Sequence, residues 1–236
     1  MAIGWEGWLG GTTASLIVFS SVIFGFFSLY KSIKLKAKLL SVAGIAMIFV
    51  GFLWLGPTID FFLKLTTDTN ISPVTTYVLL SYTSVAPALF FAVYLGAELL
   101  IPKYKWLLVG IFIVMGAIFE FFLWTQPNIG QSFEFIEVIP AGDGLIDAGF
   151  NRRHPTFIMV AIFLVSALIF LGIGFALKAK QSTGLLRKKF TYLSIGFIIF
   201  VLSGALDSII DLPLAIGIIR VVMSSFALFM YLGLKT

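Results

Sequence analysis

Seven stretches of this chain are almost devoid of charge. They run roughly over residues 12–30, 39–59, 74–101, 106–125, 156–177, 190–206 and 214–234, and they share three charged side chains, Glu98, Glu120 and Arg220. A helix needs about 20 apolar residues to cross the hydrocarbon of a bilayer. Inside that hydrocarbon every backbone N–H and C=O must find a partner within the protein, so only helices and closed β-barrels span it. The runs are continuous rather than alternating, which excludes the barrel. The predicted fold is therefore all-α: a polytopic membrane protein, one seven-transmembrane-helix bundle occupying residues 1–236. Composition agrees, with 60% hydrophobic and 11% charged residues, against about 25% charged in soluble domains.

The connections are short except for one. Trp5 and Trp8 precede the first run and read as interface anchors. No basic segment comes before that run and no small-residue cleavage site follows it, so a cleaved signal peptide is not expected. Helix 2 is expected to end near Pro57 and Asp60. In helix 3, Pro87 follows Ser81-Tyr82-Thr83-Ser84; it leaves the Thr83 carbonyl without its helical donor and predicts a kink. The long connection, about 126–155, carries two β-prone runs around Gly142-Asp143-Gly144 and predicts a β-hairpin. Ser182-Thr183 before Gly184 to Lys189 reads as a capped extension at the start of helix 6.

Charge sets the expected orientation. Twelve of the sixteen basic residues fall on the side of the connections after helices 1, 3 and 5 and of the C-terminus, among them Lys31, Lys103, Lys178, Arg187, Lys188 and Lys189. The positive-inside rule then puts the N-terminus outside and the C-terminus in the cytoplasm. The formal net charge of +5 belongs to that rim. It points to the lipid bilayer, and not to nucleic acid, as the acidic partner.

The opposite half holds the acidic residues. Asp60, Glu120, Asp207 and Asp211 are all expected near the outer ends of their helices. Arg220 lies roughly 9 Å into helix 7 at 1.5 Å per residue. An ionisable group at that depth is costly and is a functional-site candidate. Asp207 is its natural partner, because helices 6 and 7 share a tight turn. Two readings follow: an ion pair that pins the hairpin, or an outward-facing pocket for a small ligand lined by Asp60, Glu120, Asp207, Asp211 and Arg220, with Ser81 and Tyr82 as wall. Arg152, Arg153 and His154 at the mouth of helix 5 either recognise an acidic ligand or pH, or face headgroups. Arg187, Lys188 and Lys189 contact anionic lipid or a cytoplasmic partner.

Several chemistries are excluded. The chain has no cysteine and a single histidine, which removes thiolate sites, bis-histidine haem and multi-histidine zinc. No metal or cofactor is expected. Helix 7 has no mid-span lysine for a retinal Schiff base. Asp207 and Asp211 share one turn instead of facing each other from two helices, so they do not make an aspartyl-protease dyad. An enzyme is not expected.

The layout resembles the seven-helix sensor regions at the start of many prokaryotic sensor kinases, and stand-alone prokaryotic seven-helix proteins. The likeness rests on the outward N-terminus, the seven spans, the long connection before helix 5 and the arginine in helix 7. It implies a sensor or receptor-type function. No kinase domain is expected after Thr236, so the expected output passes through a cytoplasmic signalling partner. A small-solute transporter and a structural subunit of a membrane complex remain as alternatives. A transporter should carry polar residues through to the basic side, and this sequence does not.

Overall fold

A computed structural model describes residues 3–127, 133–137, 144–210 and 212–235. Among them, seven helices are long and apolar enough to cross a membrane: α1 (Trp5–Leu35), α2 (Lys38–Thr67), α3 (Val74–Leu100), α4 (Pro102–Thr125), α5 (Pro155–Gln181), α6 (Gly184–Asp207) and α7 (Pro213–Leu234). The chain is thus an all-α, multi-pass helical bundle. Successive helices pack side by side, α7 returns to close on α1 and α2, and α5 touches α3. The bundle has two ends. The α2–α3, α4–α5 and α6–α7 connections meet at one, the hairpin end; the lysine-rich connections meet at the other, the basic end.

Most helices outrun the apolar stretches that announce them. The polar flanks Trp5 to Gly11, Lys31 to Leu35 and Gly184 to Lys189 are all helical. Thr183 takes the extended N-cap conformation of α6 but makes no side-chain capping bond.

The expected end of α2 near Ile59 is corrected. A 3-10 turn at Phe52–Trp54 interrupts the helix, and the α conformation resumes over Leu55–Thr67. Pro57 therefore sits in the first turn of a renewed helix, where a missing N–H costs little. Asp60 lies within that stretch instead of at its end.

The expected break in α3 is present. Two α segments, Val74–Tyr82 and Val85–Leu100, flank a turn at Thr83 and Ser84. Helix α5 contains a π-helical turn at Leu168–Ile173, which no Pro or Gly-Ser pair in the sequence announces.

Three apolar clusters hold the bundle. The largest fills the basic half, with Met47, Leu95, Leu171, Phe175, Leu193 and Met230 at its centre. Phe175 stacks on Phe190 and Phe197 at centroid distances of 6.0 and 5.9 Å. The second, at the hairpin end, joins Tyr77, Val78, Phe119, Leu123 and Phe163 to two connection residues, Ile71 and Ile146. The third packs Ala14, Ile17 and Val18 of α1 on Trp54 and Met223. Helices α1 and α2 cross backbone to backbone: a Cβ on Gly25 would stand 2.9 Å from the Gly44 carbonyl oxygen, and one on Gly44 would stand 2.8 Å from that of Gly25. Small residues allow this close approach, which is how helices associate where lipid offers no hydrophobic drive. Outward-facing side chains are apolar, among them Phe19, Phe26, Trp106, Val114, Ile162, Ile169 and Ile218.

A two-stranded antiparallel ribbon, β1 (Phe133–Glu137) and β2 (Asp147–Phe150), follows α4. Phe133 pairs with Phe150 and Glu134 with Gly149, and the register shifts before Glu137 pairs with Asp147. The hairpin expectation holds, with its second strand later than the sequence suggested. The turn residues Gly142 and Asp143 lie outside the described residues, as does Asp211.

Candidate functional site

At the hairpin end the α4–α5 connection is built into the bundle. Asp60 is the anchor, with its side chain fully buried. Its Oδ1 accepts the Ile71 amide at 2.8 Å; its Oδ2 accepts the Ile146 amide at 2.8 Å and the Asn70 side-chain amide at 3.0 Å. Asn70 also donates to the Gly144 carbonyl at 2.8 Å. One carboxylate thus joins α2, the α2–α3 connection and the residues leading into β2. A buried carboxylate is tolerated only when hydrogen bonds satisfy it, and here three N–H donors do so.

Tyr82 supports the same segment from α3. Its hydroxyl donates to the Ala148 carbonyl at 3.4 Å, and its ring packs on Phe150 with centroids 4.6 Å apart. Leu145 and Ile146 are buried. Lys64 extends beside the segment: a Cβ on Gly144 would lie 3.2 Å from its Cε, and its Nζ pairs with Asp68 at 2.9 Å. Ser81 is buried and donates to the Tyr77 carbonyl at 2.9 Å. It faces Gly56 of α2, where a Cβ would meet the Ser81 hydroxyl and come within 2.7 Å of the Tyr77 carbonyl oxygen. Residues 144–150 therefore act as a plug set among α2, α3 and the α2–α3 connection.

A second polar group lies among α1, α2, α6 and α7. Arg220 Nε donates to Asp207 Oδ1 at 2.8 Å, and Nη2 donates to Oδ2 at 3.4 Å. Arg220 Nη1 donates to the Gly10 carbonyl at 3.4 Å, and Trp54 Nε1 donates to Asp207 Oδ2 at 3.3 Å. The side chains of Arg220 and Asp207 are 17% and 12% exposed, so the pair is largely out of solvent. The ion pair expected from the sequence is present, and it gathers four helices at once.

Glu120 stands apart on α4. Its Oε2 accepts Trp124 Nε1 at 3.1 Å, while Oε1 is buried without a hydrogen-bond partner. The expected pocket residues thus fall into three groups. Asp60 and Tyr82 hold the plug, Asp207 and Arg220 pin the α6–α7 hairpin, and Glu120 faces α3.

His154 is the N-cap of α5. Its Nδ1 accepts the Thr156 amide at 3.3 Å, and Nε2 lies 2.8 Å from Gln126 Oε1 at the end of α4. The first bond needs an unprotonated Nδ1, so the ring is the neutral Nε2–H tautomer donating to Gln126. Burial favours that neutral form and lowers the histidine below its ordinary range. The ring meets Phe122 edge-on at 5.4 Å. Arg152 and Arg153 are exposed beside it, in a turn where the Arg153 amide donates to Asn151 Oδ1 at 2.9 Å. At the basic end Arg187 and Lys188 are exposed, Lys189 is half-buried, and Lys188 Nζ lies 5.8 Å from the Tyr192 ring centroid.

Sequence reasoning missed Trp54, Asn70 and Lys64. Nothing local to Trp54 signals that its indole reaches Asp207 of α6. Nothing in the sequence signals that the Asn70 side-chain amide is committed to Asp60 and Gly144. Among the described residues no group of three or more His, Cys, Asp or Glu could hold a metal ion. Comparison with family models, with characterised proteins and with solved structures finds no match to this chain.

Proposed function

We propose that this is a multi-pass cell-membrane protein of sensor or receptor type, with the hairpin end outside and the basic end in the cytoplasm. The plug is its receptive element, and its output passes through a cytoplasmic signalling partner. The observation that carries this is Asp60, a buried carboxylate spent on holding an extramembrane connection in the bundle. A small ligand, or a partner at the exposed Arg152 and Arg153, would act by changing how residues 144–150 sit on α2 and α3. The α3 break and the α5 π-turn are the irregular elements through which such a change reaches the other end. Ser194 of α6 donates to the Gly172 carbonyl inside that π-turn at 2.7 Å, linking α5 and α6 on either side of their short connection at Ser182 and Thr183. Coupling between sites requires an element with two arrangements, and these two irregular turns are where the proposal places it. Arg187, Lys188 and Lys189 then serve anionic lipid or the partner.

The absence of natural cysteine makes single-cysteine labelling a direct test. A cysteine at Thr69 should react with an impermeant maleimide from outside intact cells, and one at Ser182 only after lysis. The labelling rate at Ser182 should change when Asp60→Asn loosens the plug. Solute flux through proteoliposomes of the purified protein, above that of empty vesicles, would defeat the sensor reading in favour of a transporter.

A further inference from the structure

Towards the basic end, a groove of about 270 Å³ opens between the end of α3 and the second half of α5. Leu100 and Ile101 form one wall, and Ile169, Phe170 and Leu177 the other. Gly174 brings the two walls together at mid-length: a Cβ there would stand 2.8 Å from Leu100 Cδ1. The polar residues that line the groove, Lys178 and Gln181, both stand at the end nearest the basic rim. Lys178 is half-buried and Gln181 exposed. The Ser182 hydroxyl donates to the Lys178 carbonyl at 2.8 Å, which holds this last turn of α5. The apolar part runs past the π-turn at Leu168–Ile173.

Length, level and charge fit one kind of occupant. Ile169 to Lys178 is nine residues of helix, about 14 Å, close to half of the roughly 30 Å hydrocarbon thickness and so to the depth of one leaflet. Tyr104 and Trp106 are exposed just beyond Ile101, and aromatic side chains of this kind sit at the headgroup level. Exposed Ile169 and Leu177 leave the groove open to the bilayer, and its volume falls below the roughly 300–1,000 Å³ of clefts that enclose drug-sized ligands. At the polar end the charge is positive. Lys178 makes no ion pair with a described carboxylate. Lys103 and Lys180 are exposed on the same two connections, and residues 101–105 and 177–189 include no acid. Glu98, the acid on this side, is bonded to Lys105 at 2.6 Å.

We propose that this groove holds one anionic phospholipid from the leaflet at the basic end. One acyl chain lies along Ile169, Phe170 and Leu177 beside the π-turn, and the phosphate accepts from Lys178 Nζ and the Gln181 side-chain amide. Basic pockets between spanning helices take up anionic headgroups in this way. A zwitterionic lipid brings its own cation towards Lys178 and binds less well. The site stands independently of the sensor reading, since it does not depend on the plug.

The test is native mass spectrometry of the whole chain in neutral detergent, with phosphatidylglycerol and phosphatidylcholine of identical acyl chains in competition. One phosphatidylglycerol should bind in preference. Lys178→Gln should cut that preference about fivefold, the effect of one lysine at a membrane surface, and Lys178→Arg should keep it. Lys34→Gln removes a charge from the same rim on α1, outside the groove, and should also keep it. Circular dichroism and thermal unfolding check that each variant is folded. A second readout uses wild type alone: phosphatidylglycerol with a diazirine in its acyl chain should, on illumination, cross-link to residues 169–177. Equal binding of the two lipids, equal losses in Lys178→Gln and Lys34→Gln, or adducts spread over the outward faces of all seven helices would overturn the proposal.

Discussion

The carboxylate of Asp60 and the backbone amide of Ile146 meet at 2.8 Å across 86 residues of sequence. The bond joins the interior of α2 to an extramembrane connection. It also fits the burial of Leu145 and Ile146, which lie outside the apolar runs.

Removing that carboxylate should release the plug. Asp60→Ala leaves the Ile71 and Ile146 amides unpaired in a buried place and removes one of the two bonds of the Asn70 side-chain amide. Each orphaned group costs about 1–3 kcal/mol, so the expected loss is several kcal/mol, with a lower thermal midpoint in detergent. Limited proteolysis should then cut near residues 144–150, where the wild-type chain resists. A variant with unchanged melting and unchanged cleavage would remove Asp60 from its role.

Arg220 and Asp207 should behave as a coupled pair. Breaking a buried ion pair by deleting one partner costs about 3–5 kcal/mol, because the other charge is left uncompensated. Arg220→Leu should therefore be severely destabilising, and Arg220→Lys intermediate, since a lysine cannot give two parallel bonds to Asp207. The double variant Arg220→Leu, Asp207→Leu should recover part of the loss. Denaturant titration of the four proteins reads the coupling; strict additivity would show that the two side chains do not stabilise each other.

The α4–α5 junction should weaken in acid. His154 is lowered from its ordinary value by burial. Between its folded value and about 6.5 the unfolded chain binds a proton that the folded chain does not. Its stabilising contribution is then complete above about pH 6.5 and is lost as pH falls from there towards the folded value. Protonation also turns Nδ1 from acceptor to donor, which removes the cap on Thr156. Wild type should lose thermal stability as pH falls, whereas His154→Asn, whose side chain can still cap and does not titrate, should not share that loss, so the two melting profiles should separate in acid relative to pH 8. Parallel pH profiles would contradict this.

Two glycines should answer oppositely to alanine. At Gly56 a methyl group would press on the Ser81 hydroxyl and the Tyr77 backbone, whereas at Gly110 it would meet nothing within 4 Å. Gly56→Ala should spread α2 from α3 and destabilise the hairpin end. Gly110→Ala should be neutral or stabilising by up to about 1 kcal/mol from helix propensity. Thermal unfolding of both in one detergent compares them, and equal effects would mean that α2 and α3 are not in close contact at Gly56.

The seven helices were legible because lipid imposes a simple rule: charge is absent for about the length of a span. The Arg220–Asp207 pair was legible for a related reason, since a short turn confines two charges to neighbouring helices. The Pro87 break followed from a missing donor. The bounds of α2 were not legible. Pro57 looks like a terminator, and only the 3-10 turn before it moves it into a first turn where proline is tolerated. The π-turn of α5 depends on packing against α6, which Leu168 to Ile173 do not encode by themselves. The plug was hidden most completely. Asp60 and Ile146 have no periodic relationship, and a carboxylate held by backbone amides leaves no partner side chain for sequence reasoning to find.

Hydrogen exchange read peptide by peptide is the most direct measurement of the receptor account. In wild type the amides of Ile71 and Ile146 should exchange slowly for residues outside the spans. In Asp60→Asn both should speed up together, and exchange in the α5–α6 junction, residues 178–189, at the opposite end should change with them. Faster exchange confined to 71 and 144–150, with that junction unaltered, would contradict the account and leave the plug as a purely structural closure.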